Sequence, residues 1–149
     1  NLILANMKGF SSGAFLNKAQ IEKSGQENVE ALKIKTPSLD EVTAQLSGGN
    51  QQKVVIGKWM NIDADIFIFD EPTRGIDVGA KIEVYRVMND MVKAGKCVIM
   101  VSSELPEILA MSDRVVVMRG GRVMANVERG SEHFNSEDIM KAAWGGELN

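Results

Sequence analysis

The run "DIFIFDEP", Asp65 to Pro72, constrains this chain more than any other stretch. Four consecutive Ile and Phe residues between acids suit a short strand buried on both faces of a parallel sheet. The flanking pattern agrees. Residues Val78–Ala94 carry Ala80, Val84, Val87, Met88 and Met91 on one helical stripe, and Gly95 is placed to end that helix. "KCVIMVSS" reads as a second buried strand, and Glu104–Met111 as a short helix with Pro106 in its first turn. "DRVVVMRGGRVMANV" predicts two strands around Gly120-Gly121, a hairpin signal, and Ser136 is placed to cap a closing helix through Ala143. Strand alternating with helix predicts an α/β fold with a mostly parallel sheet and right-handed crossovers.

The first part of the chain has a different texture. Leu2, Ile3, Leu4 and Met7 suggest a short helix, which "FSSGAF" breaks. Asn17–Leu32 predicts an amphipathic helix through Ile21, Val29 and Leu32, with Gly25 weakening its middle. Pro37 and Ser38 suggest a turn and N-cap, with Glu41 completing a capping box. The expected division is a helical lobe over residues 1–60 and an α/β core over 61–149.

Bulk properties narrow the function. The chain of 149 residues is 44% hydrophobic and 25% charged, ordinary for a soluble globular protein. A net charge of -3 argues against a general nucleic-acid surface. The single cysteine, Cys97, excludes an internal disulfide and is expected to be a buried, inert thiol. The apolar runs are too short to span a bilayer, and a cytosolic setting is expected. The chain opens at Asn1 without an initiator Met, and is expected to be a piece of a longer protein.

Two stretches carry chemistry. In "LSGGNQQK", Ser47, Gly48 and Gly49 precede a segment of helical character. A helix start offers free N–H groups and partial positive charge, and glycines let a guest approach the backbone, so an anion is the natural ligand. The structural alternatives are a flexible hinge for the glycines and a plain N-cap for Ser47. The second stretch is the strand end. Open parallel sheets bind ligands beyond the carboxyl ends of their strands, where Asp70 and Glu71 stand. One acid can support a metal ion while the other polarises an attacking water. Taken alone, the pair is equally consistent with a strand end and a capped turn.

"LSGGNQQK" followed by "IFIFDEPTRGID" resembles the ABC-type ATPases, in the order signature motif, Walker B strand and D-loop. Asn50 and "DEPTRGIDVGAK" are similar to the second nucleotide-binding cassette of tandem-cassette sugar importers of the ribose, galactose and xylose type. The resemblance is strongest over Leu46–Arg119 and looser over residues 1–45. It implies a partial cassette of the P-loop NTPase type with a small helical lobe. By position, Ser47, Gly48 and Gly49 would contact the γ-phosphate of an ATP held by the opposite cassette, Asn50 and Gln51 are expected to join them in binding that nucleotide, and Gln52 continues the motif. Asp70 matches the aspartate that supports Mg²⁺ through water, Glu71 the glutamate that polarises the hydrolytic water, and Asp77 the D-loop aspartate. Arg74 is expected to be a solvated loop residue.

Two departures matter. Ser103 stands where the family places a switch histidine, and a serine is too short to replace an imidazole. The lone histidine, His133, lies elsewhere and is expected at the surface. No G-x-x-x-x-G-K-[ST] phosphate cradle occurs: Gly57-Lys58 and Gly95-Lys96 are followed by Trp59 and Cys97. The Walker A half is absent from the chain.

The resemblance implies the C-terminal part of an ATP-hydrolysing subunit of a carbohydrate importer, using ATP and Mg²⁺, peripheral on the cytoplasmic face of the membrane. Its implied partners are a second cassette in the same polypeptide or another subunit, membrane permease subunits and, indirectly, a sugar-binding protein. Self-association of the isolated chain is expected, to cover apolar faces and an open edge. Two other readings are a non-catalytic interaction or regulatory fragment and a DNA-repair or chromosome-maintenance ATPase head. The latter would need long heptad arms and basic surfaces that the sequence does not show.

Overall fold

The structure is a computed structural model, and it describes residues 1–12 and 15–148. Gly13 and Ala14, inside the break expected at "FSSGAF", lie outside the described residues. The chain divides into two compact units, one of residues 1–68 with 72–99 and the other of residues 69–71 with 100–149.

In the first unit, a 3-10 segment Leu4–Phe10 leads into the strands β1, Ser11–Ser12, and β2, Phe15–Leu16, which pair antiparallel. Helix α1 spans Lys18–Ala31, capped where Asn17 Oδ1 accepts from the Gln20 N–H at 3.1 Å. Helix α2 spans Gly48–Met60 and buries Gly49, Lys53, Val54, Ile56 and Gly57, a face set by i, i+4 and i+7 spacing. Asn61, just past α2, is a polar hub. Its Oδ1 accepts from Asn28 Nδ2 and Ser24 Oγ, both at 3.1 Å, and its Nδ2 donates to Leu2 O at 2.9 Å. A carboxamide can make all of these bonds at once, so the N-terminal segment, α1 and α2 are tied at one point.

The capping box expected at Ser38 does not form. Leu39 closes over Gly25 of α1, and the chain makes turns before a single 3-10 turn at Thr43–Gln45. Leu39 stays partly exposed in that contact, and no helix follows Ser38 for it to cap. The glycine that weakens α1 locally thus makes room for that side chain.

Strand β3 is Ile66–Asp70, helix α3 is Val78–Lys93 and strand β4 is Cys97–Val101. Helix α3 buries Ala80, Val84, Val87, Met88 and Met91, the stripe its sequence predicts. β3 pairs with β4. The Cys97 N–H donates to Asp65 O and the Glu71 N–H to Val101 O, each at 2.8 Å, so the strands run parallel.

Neither strand is buried on both faces, against expectation. Ile66, Ile68, Ile99 and Val101 are exposed, and Cys97 shares that exposure rather than being a buried thiol. An unbroken apolar run shows that both faces tolerate burial. Whether a second layer arrives is decided by elements outside the run.

The second unit continues with α4, Leu105–Met111, then β5, Arg114–Arg119, and β6, Arg122–Glu128, an antiparallel hairpin. Its turn is Gly120-Gly121, with φ of +55° and +75°, a pair of left-handed residues that only glycine adopts without strain. Helix α5, Ser136–Ala143, packs Ile139 and Ala142 against Val115 and Val117 of β5. Its N-cap is Asn135 rather than Ser136, and Asn135 Oδ1 accepts from the Asp138 N–H at 2.9 Å. Ser and Asn both cap well, and the preceding turn at Ser131–Phe134 decides which one has the extended backbone.

His133 is half-buried rather than a free surface residue, with Nδ1 2.9 Å from Asp138 Oδ2. That contact, helped by Asn135, holds the Asp138 carboxyl below its ordinary pKa. Arg129 donates from Nη2 to Leu109 O and Ala110 O and from Nε to Ser112 O, satisfying carbonyls at the end of α4. No helix among the described residues is long and apolar enough to cross a membrane.

Candidate functional site

The site begins with two helix starts in the first unit. Ser47 is the N-cap residue of α2, yet its side chain makes no capping bond. Gln51 N–H donates to Ser47 O at 2.9 Å, the first intrahelical bond, which leaves the preceding N–H groups without intrahelical partners. Asp77 caps α3 by accepting from the Ala80 N–H at 2.9 Å. The two starts share a shallow cleft of about 200 Å³, lined by Lys35, Ser47, Gly49, Asn50, Asp77 and Glu83.

The two glycines at the head of α2 have different reasons. A Cβ on Gly49 would lie 2.5 Å from Ala80 Cβ, so the close approach of α2 to α3 demands glycine there. A Cβ on Gly48 would meet nothing nearer than 3.9 Å. Packing within this chain does not require Gly48, which leaves its exposed backbone open to a guest.

One turn further along, Lys53 is buried at 1% exposure and carries an ion pair to Glu83 of α3. Its Nζ also donates to Lys33 O at 2.9 Å. Lys53, first among several cations near it, holds the Glu83 carboxyl below its ordinary pKa. The i, i+4 step from Gly49 already places Lys53 on the inner face of α2. The acid that meets it is far along the sequence on another helix, where no local pattern reveals it.

Side chains of the motif also bond inward. Asn50 Oδ1 accepts from the Lys35 N–H at 2.9 Å, and its Nδ2 donates to Ser47 Oγ at 2.9 Å. Gln51 Nε2 donates to Leu46 O at 2.8 Å. Arg74 is exposed, as expected of a loop arginine.

Asp70, Glu71 and Ser103 belong to the second unit. Asp70 is the last residue of β3 and its side chain is exposed. Glu71 has φ of +48°, a left-handed conformation that costs a non-glycine residue on the order of 1–3 kcal/mol. Composition and spacing give no sign of this strain. Ser103 is exposed, while the neighbouring Ser102 Oγ donates to Glu107 Oε2 at 2.8 Å and accepts from the Glu104 N–H. The described residues contain no group of three or more His, Cys, Asp or Glu side chains able to hold a metal. A cation at Asp70 would therefore need ligands from a bound molecule as well as from water.

Known proteins resemble this chain in sequence and in fold. The ABC transporter family matches residues 6–74. A ribose/galactose/methyl galactoside import ATP-binding protein of Rhizobium etli is 50% identical over 146 residues, covering 98% of this chain and 28% of that protein. The xylose import ATP-binding protein of Thermoanaerobacter pseudethanolicus is 51% identical over 146 residues, with the same two coverages. The chain is similar over nearly its whole length to ATP-binding subunits of this family. It spans a little over a quarter of the length of these relatives. The fold agrees: a metal-chelate type ABC transporter in an inward-facing conformation aligns at a TM-score of 0.78 and 14% identity, over 96% of this chain and 56% of that one. The chain is a partial ABC cassette of α/β class.

Two predictions follow from the packing of α2 on α3 in this cassette. Gly49→Ala is expected to destabilise the chain by about 1–3 kcal/mol through overlap with Ala80. Gly48→Ala is expected to be neutral or stabilising by up to about 1 kcal/mol, since alanine favours the helix. Urea unfolding of both variants measures the contrast.

The second concerns pH. Glu83 has a folded pKa below its unfolded value of about 4.3, so its contribution is complete above that pH and lost as pH falls through the folded value. Glu83→Gln is expected to destabilise by less than the ~3–5 kcal/mol of a fully buried pair, because the carboxylate is partly hydrated. The difference from wild type in urea midpoint stays constant above about pH 5 and shrinks towards about pH 3.

Proposed function

We propose that the chain contributes to the ATP-hydrolysing subunit of a carbohydrate ABC importer, as the C-terminal part of its second cassette. The observation that carries this reading is the start of α2. Ser47 is free of capping duty and lines the cleft that also holds Asp77, the first N–H groups lack intrahelical partners, and Gly48 beside it is open. Such a surface suits the terminal phosphate of an ATP presented by an opposite cassette. The half-identical relatives are named as import ATP-binding proteins for ribose, galactose and xylose, which supports a sugar as cargo.

The roles divide by position. Ser47 and the amides of Gly48 and Gly49 would donate to the γ-phosphate. Asp77 would meet the opposite cassette across the D-loop. Asp70 would accept from the hydration shell of Mg²⁺, which, when bound with ATP, neutralises charge developing on the phosphates. Glu71 would orient the attacking water and accept its proton. Its left-handed backbone is the kind of strain found where a side chain must be held in one direction. With Ser103 at the switch position, no imidazole stands beside that water, which supports unequal activity of the two ATP sites in the assembly.

The proposed partners are a cassette carrying a phosphate cradle, permease subunits in the membrane and a sugar-binding protein that delivers cargo. The proposed location is the cytoplasmic face of the membrane. No phosphate cradle is present in these residues, so the chain alone is expected to be incompetent for hydrolysis.

In the full-length subunit, Glu71→Gln is expected to slow turnover at the site it serves by about 10²- to 10⁴-fold while leaving ATP binding intact. Single-turnover hydrolysis beside equilibrium nucleotide binding checks it, and unchanged turnover would falsify the assigned role. The exposed apolar residues of β3, β4 and β5, Ile68, Ile99 and Met118 among them, support self-association of the isolated chain. Light scattering at tens of micromolar (roughly the range where weak dimers form) is expected to show species above monomer mass, and a clean monomer would count against it.

A further inference from the structure

We infer that Asn50 is a positioning residue that aims the hydroxyl proton of Ser47, rather than a group that touches nucleotide itself. The inference rests on the reading of Ser47 as a phosphate donor. The Lys35 backbone N–H lies 2.9 Å from one end of the Asn50 carboxamide. A backbone N–H can only donate, so that end is the oxygen and the other is the NH₂ group. The NH₂ group lies 2.9 Å from Ser47 Oγ, which must therefore accept. With that lone pair engaged, the hydroxyl must point its proton away from Asn50 and can offer it to an outside acceptor.

Lys35 is the anchor of this relay. It lies just beyond Ile34, which is buried, and just beyond Lys33, whose carbonyl receives the buried Lys53 ammonium. The backbone that orients the carboxamide is thus pinned from two sides. Both ends of the Asn50 side chain are held by bonds within the chain, so its carboxamide is oriented before any nucleotide arrives. A serine hydroxyl otherwise turns among three staggered positions, and the bond accepted from Asn50 removes the one that points its proton at the carboxamide.

The test has two parts. In this chain, Ser47→Ala is expected to shift the side-chain amide NMR signals of Asn50, and Asn50→Ala to leave the urea midpoint close to wild type. Unmoved amide signals, or an unfolded Asn50→Ala chain, would overturn the proposal. In the full-length subunit, ATP turnover is measured for Ser47→Ala, Asn50→Ala and the double variant. Ser47→Ala is expected to slow turnover about 10- to 100-fold, the worth of a hydrogen bond to a charged group. Asn50→Ala is expected to slow it roughly tenfold or less, with no further loss when added to Ser47→Ala. If the two losses multiply, Asn50 acts independently of Ser47 and the positioning role falls alone. If Ser47→Ala is silent, the reading of Ser47 as a phosphate donor falls and takes this proposal with it.

Discussion

The contact between α2 and α3 is the constraint on which the candidate site depends. Gly49 against Ala80 sets how closely the helices approach, and the Lys53–Glu83 pair one turn along sets their register. Each helix begins with a residue of the cleft, Ser47 for α2 and Asp77 for α3. A shift of one helix along the other would pull these starts apart. A charge as buried as Lys53 is costly to leave unpaired, so any sliding that separated it from Glu83 would be resisted. The pair therefore serves geometry as much as stability.

The strand ends follow a different logic. Asp70 is exposed at the end of β3, and Glu71 turns into a left-handed backbone immediately afterwards. The Glu71 N–H bond to Val101 O fixes the backbone at the point where the chain turns. Strain held by a ladder bond directs a carboxylate better than an unconstrained loop does. The same strands leave Ile66, Ile68, Ile99 and Val101 uncovered, so the strand that carries the acids is itself only partly enclosed.

Much of this was legible in the residues. The stripe of α3, the glycine turn of the hairpin, the Pro-led start of α4 and the parallel pairing of β3 with β4 all follow from local pattern. What escaped local reading involved a choice between competing local options. Ser38 and Ser136 are both good caps by type, yet no helix follows Ser38 for it to cap and the Ser131–Phe134 turn handed the other role to Asn135. Cys97 and His133 were misplaced for the same reason, since exposure depends on what lies across the fold.

By itself, the sequence determined the resemblance to ABC-type ATPases and the order of its motifs, because "LSGGNQQK" and "IFIFDEPTRGID" are each contiguous and their spacing survives in one dimension. It also determined which segments are helical or extended, since periodicity is a local property. Only the tertiary structure decided that one glycine of the motif serves packing and the other stands open. It likewise decided that Lys53 meets Glu83 and that Asn50 spans Lys35 and Ser47. Most of these contacts join residues well separated in the chain, and burial makes the ion pair specific: an ammonium removed from water must find its partner wherever the fold has brought one.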